Sequence, residues 1–143
     1  HIRETIPDAQ TREGASIKHD IAVPIDAFAE LVRRGTAAVI DQAPGARPCI
    51  FGHLGDGNAH LNITQPAGMD RTDFLSQWAD VNRRIHDITH SLGGSISAEH
   101  GLGRLKRDEV LRYKSDTEMD MMRSLKRALD PKNIMNPGKV ISA

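Results

Sequence analysis

Two histidines on either side of a glycine-rich turn, His53 and His60, could together bind a metal ion. The turn contains Asp56-Gly57, a dipeptide that favours a two-residue type I′ hairpin turn because both central residues need a positive φ. Such a turn places His53 directly opposite His60 on one face of the hairpin, with Cβ atoms roughly 4.5–5.5 Å apart. Asn62 lies on the same face because side chains alternate along a strand. The spacing therefore predicts two imidazoles that share one metal ion, and an ordinary polar turn is the alternative interpretation.

A third ligand for this ion is expected at Glu99, which leaves a neighbouring strand at a glycine-rich bend. Two histidines and one carboxylate with an open position are the ligand set of a catalytic zinc site, and manganese or iron would also accept these ligands. His100 follows directly, and successive side chains of an extended chain point apart. His100 is therefore predicted to act as a base, while a polar loop without chemistry is the alternative.

The remaining polar candidates have simpler interpretations. Arg3 and Lys18 are cations that could bind a carboxylate, although each taken singly is more typical of a surface charge. Asp56 is expected to support its own turn by accepting backbone hydrogen bonds. The other histidines at helix or core positions are predicted to be structural, namely His19, His86 and His90.

The elements that must position these residues follow the order β-α-β-β-α-β, with two further helices after them. This order is that of a ferredoxin-like α+β fold, an antiparallel sheet with helices packed on one side. The strands are predicted at residues 17–23, 48–54, 59–65 and 95–98. The other face of the sheet would be uncovered by these helices, and the side chains predicted to point there are Lys18, His53, His60 and Asn62.

Capping residues set the predicted helix boundaries. One helix starts near Asp26 and ends near Pro44, and a longer one runs from its N-cap Asp70 to Gly93-Gly94 with an apolar stripe that includes Trp78. The last helix starts at a capping box that spans residues 115–118 and ends at residue 130, with its Met and Leu positions over 119–129 in the core.

Composition excludes several classes of function. The 19 basic residues balance the 19 acidic ones, and aromatic residues make up 3% of the chain, so binding to nucleic acid or to an anionic membrane surface is not favoured. The single Cys49 favours a reducing compartment, here the cytoplasm. No apolar run approaches the roughly 20 residues that cross a bilayer, and no signal peptide is recognised. The first residue is not Met and the first residues read as the middle of a helix, which suggests an excised C-terminal domain.

Four separated motifs occur in an order that points to a known family: KHDIAVP at residues 18–24, FGHLGDGNAHLN at 51–62, GSISAEHGLG at 94–103, and the segment from 130 to 140. Together they resemble the C-terminal domain of the FAD-linked oxidases that act on 2-hydroxy acids. This group contains the glycolate oxidase large subunit, D-lactate dehydrogenase and D-2-hydroxyglutarate dehydrogenase. The resemblance covers nearly the whole chain.

The resemblance implies that residues 1–143 form a single substrate and metal domain, and that FAD is bound mainly by an N-terminal domain of the same polypeptide. His53, His60 and Glu99 would hold a divalent metal, zinc or manganese, and His100 would take the hydroxyl proton of the substrate. By this resemblance, Arg3, Lys18 and Asn62 would contact the substrate. Asn136 would lie in a segment that approaches the flavin.

The function implied is oxidation of a D-2-hydroxy acid, such as glycolate or D-lactate, to the 2-oxo acid, with electrons passing to an unidentified acceptor. Pro7 stands where some members carry a substrate-binding threonine. This difference affects which acid the domain would accept, in particular whether it would accept a long dicarboxylate. Two alternatives have different sequence requirements. A self-contained metallohydrolase would need a complete pocket in this chain, and a non-catalytic ligand-binding module of ferredoxin-like fold would tolerate loss of the metal ligands.

Overall fold

The computed structural model describes residues 2–142, with side chains described from Thr5 onward. The chain divides into two compact units, of which the first ends at Glu99 and the second starts at His100. No helix within residues 2–142 is both long and apolar enough to span a bilayer.

The first unit contains a four-stranded antiparallel sheet and four α-helices. Its strands are β1 (Ser16–Ile17), β2 (Asp20–Ala22), β3 (Arg47–Phe51) and β4 (Asn58–Thr64). Its helices are α1 (Ile2–Arg12), α2 (Phe28–Gln42), α3 (Arg71–Ser76) and α4 (Trp78–Ser91), with short 3₁₀ turns at Ile25–Ala27 and Leu54–Asp56.

Strand β4 is the centre of the sheet. It pairs antiparallel with β3 on one side and with β1 and β2 on the other. Ile17 lies opposite Ile63 and Asp20 lies opposite His60, so β1 and β2 keep one register and are two parts of the single strand predicted there. The strand predicted at residues 95–98 is reduced to an isolated antiparallel bridge between Ala22 and Ser95. The α+β class and the antiparallel sheet predicted from the sequence are confirmed.

The core of the first unit lies between one face of the sheet and the helices. Alternation along β4 buries Ala59, Leu61 and Ile63, because every second side chain points to the same face. The helical residues packed against them recur at helical spacing, as the amphipathic pattern predicts. They include Leu31 and Val39 of α2, Phe74 of α3, and Val81 and Ile85 of α4.

The helix that follows Asp70 differs from the prediction in its length. Asp70 is the N-cap as predicted, since its side chain accepts hydrogen bonds from the backbone N–H groups of Thr72 and Asp73. The predicted long helix is nevertheless two helices that meet at Gln77. Trp78 is exposed rather than part of the buried stripe, because it is the first residue of a new helix and not an interior position of a continuous one.

The second face of the sheet is not wholly open, contrary to the prediction. Gln10 of α1 is buried against β4, where its side-chain oxygen accepts a hydrogen bond from Asn62 Nδ2 at 2.8 Å. Gln10 Nε2 also donates to Thr64 Oγ1 at 3.4 Å. An ion pair of 2.7 Å between Glu13 and Arg47 connects the end of this helix to β3. Helix α1 therefore covers the part of this face that contains Asn62.

The second unit contains one α-helix within the described residues, α5 (Asp116–Leu129), preceded by a 3₁₀ turn at Val110–Arg112. The sequence predicted two α-helices here, and the first is only this turn. The capping box of Ser115 and Glu118 is present as predicted. Val110, Met119 and Ile141 form a small core.

The predicted core stripe of α5 is wrong in its second half. Met119 is buried, but Leu125 and Leu129 are exposed. The small core of the second unit lies beside the first turn of the helix, so within the described chain the later turns have no apolar layer to pack against.

Candidate metal site on the sheet

His60 lies on the sheet face opposite the core, between two cross-strand neighbours. Its register partners are Asp20 on β2 and Phe51 on β3. The ring centroids of Phe51 and His60 are 5.1 Å apart, and Asp20 Oδ1 lies 3.8 Å from His60 Nδ1. The side chain of His60 is 16% exposed, so strand alternation and its two neighbours define the position of the imidazole.

The hairpin turn that carries His53 differs from the predicted type I′ turn. Phe51, not His53, pairs with His60, and β3 ends at Phe51. The carbonyl oxygen of His53 accepts hydrogen bonds from the N–H groups of Asp56 at 3.0 Å and Asn58 at 3.1 Å. Only Gly57 of the predicted turn pair has a positive φ, at 66°. The predicted direct cross-strand pairing of His53 with His60 is therefore wrong.

A backbone contact with β2 explains why the turn is longer than predicted. The N–H of Val23 donates to the carbonyl of Gly57 at 3.0 Å, so the loop is bonded to the end of the neighbouring strand. This contact joins residues far apart in the sequence. A rule based on the dipeptide Asp56-Gly57 alone cannot include it.

Glu99 nevertheless lies close to both histidines predicted to share the metal with it. His53 Nδ1 is 3.1 Å from Glu99 Oε1, and His60 Nε2 is 4.0 Å from the same oxygen. Two ligand atoms about 2.1 Å from one ion at tetrahedral angles are about 3.4 Å apart, which lies between these two distances. The side chains of His53 and Glu99 are 39% and 45% exposed, so they are accessible to an ion from solvent. Glu99 Oε1 therefore lies near a ring nitrogen of each histidine, and the binding of an ion by these three residues stays a prediction.

Asp20 lies beside these residues although it was not among the predicted site residues. Its carboxylate oxygen Oδ2 accepts hydrogen bonds from the backbone N–H groups of Ala98 at 3.1 Å and Glu99 at 3.0 Å. Its position between Lys18 and Ala22 predicts that it faces away from the core, but its partners come from a segment nearly eighty residues later. The alternation of this strand was the one sequence signal that could have indicated it.

The three predicted substrate-binding residues have different surroundings. Asn62 is buried and donates its amide to Gln10, as described above. Lys18 is exposed, and the shared register of β1 and β2 places it across from Asn62 on the same face. The side chain of Arg3 lies outside the described residues. Pro7 lies inside α1, where its carbonyl accepts the hydroxyl of Thr11 at 3.0 Å.

Two predicted site residues belong to the second unit. His100 is its first residue and is exposed. Asn136 is exposed in the segment after α5, has a positive φ of 48°, and accepts a hydrogen bond from the N–H of Lys139. The roles predicted for both residues stay predictions.

The chain is similar to several curated dehydrogenases. It is 40% identical over 126 residues to D-2-hydroxyglutarate dehydrogenase of Stutzerimonas stutzeri, which covers 88% of this chain and 27% of that protein. It is 38% identical to the mitochondrial D-2-hydroxyglutarate dehydrogenase of Danio rerio, over 98% of this chain and 25% of that protein. It is 37% identical to a probable mitochondrial D-2-hydroxyglutarate dehydrogenase of Oryza sativa subsp. indica, over 98% of this chain and 24% of that protein.

The chain thus spans about a quarter of the length of the curated relatives it matches. Residues 1–140, nearly the whole chain, match the family described as FAD linked oxidases, C-terminal domain. The resemblance predicted from the four motifs is thereby confirmed. The chain belongs to the C-terminal domain family of the FAD-linked oxidases.

Proposed function

We propose that this chain is the substrate and metal domain of a larger FAD-dependent dehydrogenase that oxidises a D-2-hydroxy acid to the 2-oxo acid. The observation that carries the proposal is the convergence of His53, His60 and Glu99 in a chain of this family. In this proposal residues 1–143 act as one functional domain. FAD is bound mainly by an N-terminal domain of the same polypeptide, in line with the fraction of the relatives that the chain spans.

His53, His60 and Glu99 would hold zinc or manganese, since imidazole and carboxylate ligands suit both ions. When bound, the ion would supply Lewis acidity to the hydroxyl and carboxylate oxygens of the substrate. His100 accepts the hydroxyl proton, which allows the hydrogen on C2 to leave as hydride toward the flavin. Asn136 contacts the flavin side of the site.

The substrate carboxylate is bound by the cations Arg3 and Lys18, with Asn62 as a hydrogen-bonding neighbour. The exposure of Lys18 on the His60 face of the sheet supports this role. D-2-Hydroxyglutarate is the first acid to test, because it is the substrate named for the relatives from Stutzerimonas stutzeri and Danio rerio. D-Lactate and glycolate are the shorter acids to compare, since Pro7 bears on whether a long dicarboxylate fits.

The cellular location proposed from the sequence is the cytoplasm. The relatives from Danio rerio and Oryza sativa are named mitochondrial, so the mitochondrion is the compartment to compare with it. Fractionation of the source cells followed by detection of the native protein distinguishes the two.

The proposal is tested by anaerobic reduction of the flavin in the complete protein that contains this chain. D-2-Hydroxyglutarate, D-lactate and the achiral glycolate are each added, and the loss of oxidised flavin absorbance is followed. L-2-Hydroxyglutarate and L-lactate are the controls. We expect at least one D acid or glycolate to reduce the flavin and the L acids to fail.

A matched pair of variants assigns this activity to the proposed ligands. His53→Ala should abolish rapid reduction, whereas His90→Ala, at an exposed position on α4, should leave the rate unchanged. Absence of reduction by every acid, or full activity of His53→Ala, would contradict the proposed function.

A further inference from the structure

Asp20 is a buried carboxylate that accepts hydrogen bonds from residues beside the proposed ligands. It is 3% exposed, its Oδ2 accepts the N–H groups of Ala98 and Glu99, and its Oδ1 accepts Asn58 Nδ2 at 3.4 Å. Burial of a carboxylate costs free energy unless donors replace the lost water. Three N–H donors in this protein supply that replacement.

The two hydrogen bonds to Asp20 Oδ2 position the backbone directly before Glu99. The regular pairing of this segment consists of the single bridge between Ala22 and Ser95. Beyond the bridge, Ala98 N–H reaches the backbone carbonyl of Asp20 at 3.3 Å as well as its carboxylate. Two consecutive N–H groups bonded to one carboxylate orient the peptide units on both sides of Ala98. The backbone from which the Glu99 side chain projects is therefore held by Asp20.

The same carboxylate lies beside the ring of His60. Oδ1 is 3.8 Å from Nδ1, while Nε2 is the ring nitrogen that lies 4.0 Å from Glu99 Oε1. A carboxylate next to one imidazole nitrogen favours the proton on that nitrogen and leaves the lone pair of the other for a metal. Phe51 on the opposite strand contacts the His60 ring and limits its rotation.

We propose that Asp20 is a positioning residue of the metal site, since one buried carboxylate orients both the backbone before Glu99 and the imidazole of His60. The inference rests on the proposed function, in which Glu99 and His60 are metal ligands. Asp20 acts through these two residues and needs no contact with the substrate.

The test compares zinc binding by the complete protein and its variants, after removal of bound metal with a chelator. Zinc affinity is measured by competition with a chromophoric chelator, and hydrogen–deuterium exchange of the peptide that covers residues 95–101 is measured in parallel. Asp20→Asn keeps the shape of the side chain but removes the charge and one acceptor. We expect zinc affinity about 10–100-fold weaker and faster exchange in that peptide.

Two reference variants make the outcomes distinguishable. Asp26→Asn removes an exposed carboxylate elsewhere in the first unit and should change neither quantity. Glu99→Ala removes a proposed ligand and should weaken zinc binding strongly. If Glu99→Ala binds zinc normally, the proposed metal site is wrong, and this inference is overturned with it. If Glu99→Ala loses zinc while Asp20→Asn binds it normally, only the role of Asp20 is overturned.

A measurement on the unsubstituted protein covers the case in which Asp20→Asn fails to fold. Amides of Ala98 and Glu99 that are bonded to a buried carboxylate should exchange slowly, and zinc should slow their exchange further. Rapid exchange of the 95–101 peptide without and with zinc would overturn the inference.

Discussion

Four histidines of the first unit differ in their surroundings. His19 and His86 are buried in the first unit with their rings edge to face at 5.7 Å, and His19 Nδ1 donates to the carbonyl of Leu61 at 2.7 Å. His60 is partly exposed on the other face of the sheet, and His53 follows β3 in a loop. Ring nitrogens bonded inside the core cannot easily rotate to bind an ion, so His53 and His60 are better suited to metal binding than His19 and His86.

At the scale of single residues, Glu99 and His100 should differ in their effects on metal content. In the complete protein, Glu99→Ala should remove the metal and impair both substrate binding and turnover, because it removes a ligand. His100→Ala should keep the metal and lower kcat by about 10²–10⁴-fold, the usual loss for a general base. Metal analysis and steady-state kinetics on both variants measure this difference. Equal loss of metal in the two variants would mean that His100 is a ligand and that another residue is the base.

At the scale of elements, the loop between β3 and β4 determines where His53 lies. Backbone hydrogen bonds within the loop run to the carbonyls of His53 and Leu54, and the N–H of Val23 donates to the carbonyl of Gly57. Gly57 has a positive φ of 66°, and a Cβ atom there would lie 1.9 Å from the carbonyl oxygen of Val23. A side chain at this position would therefore require both strained backbone and displacement of the loop from β2.

Gly57→Ala should lower the free energy of unfolding by about 1–3 kcal/mol, the usual range for a residue forced into a sparsely populated conformation. It should also weaken zinc binding, because the loop that carries His53 must move. Gly55→Ala is the matched control, since no described atom lies within 4 Å of the added Cβ and its φ is not positive. Denaturant unfolding and zinc titration of the two variants test this prediction. Equal stability and equal zinc affinity would contradict it.

The capping box of α5 leads to a prediction about pH. Hydrogen bonds from the Lys114 side chain, then from the backbone and hydroxyl of Ser115, lower the pKa of Glu118 from 4.5 to about 2. A carboxyl group with a lowered pKa in the folded state stabilises that state above its unfolded pKa, and this contribution is lost as the pH falls toward the folded value. The contribution of Glu118 should therefore be complete above about pH 4.5 and decline between pH 4.5 and pH 2.

Glu118→Gln should unfold more readily than the unsubstituted protein at neutral pH, and the difference should shrink as the pH is lowered to 2. Urea unfolding of both proteins across this pH range, followed by circular dichroism, measures the difference. Asp26→Asn is the charge-matched control. A difference that stays constant down to pH 2 would show that the charge of Glu118 is not involved.

At the scale of the whole molecule, the chain is a family member that spans about a quarter of its relatives. The first unit contains the candidate ligands, with His60 on the sheet and His53 and Glu99 outside its strands. The second unit contains its own small core and α5. The sequence of the 143 residues has no glycine-rich phosphate-binding loop between a strand and a helix at the start of a βαβ unit. Flavin binding should accordingly depend on the rest of the polypeptide.

We therefore expect the purified 143-residue chain to contain no flavin and to oxidise no 2-hydroxy acid by itself. Absorbance spectroscopy of the purified chain and assays with D-2-hydroxyglutarate, D-lactate and glycolate measure both properties. The complete protein purified in parallel is the control and should be yellow. A flavin spectrum or turnover in the isolated chain would contradict this prediction.

The sequence by itself determined those parts of the fold that depend on neighbouring residues. Alternation along β4 predicted that His60 and Asn62 share one face of the sheet, and the caps at Asp70 and Ser115 predicted where two helices start. These features depend on strand geometry and on side chains that bond to backbone within three residues. His53, His60 and Glu99 were also chosen from the sequence as ligands, and in the structure Glu99 Oε1 lies 3.1 Å from His53 Nδ1 and 4.0 Å from His60 Nε2.

Only the tertiary structure decided how those residues are held. The turn at Gly57 depends on a bond to Val23, the burial of Asn62 depends on Gln10 of α1, and the backbone at Glu99 depends on Asp20. The exposure of Leu125 and Leu129 depends on the absence of a packing partner among the described residues, although their spacing is typical of a buried stripe. Each outcome follows from contacts between segments distant in sequence. Local propensity and periodicity contain no information about those contacts, because they describe what a segment can form and not what lies beside it in the folded chain.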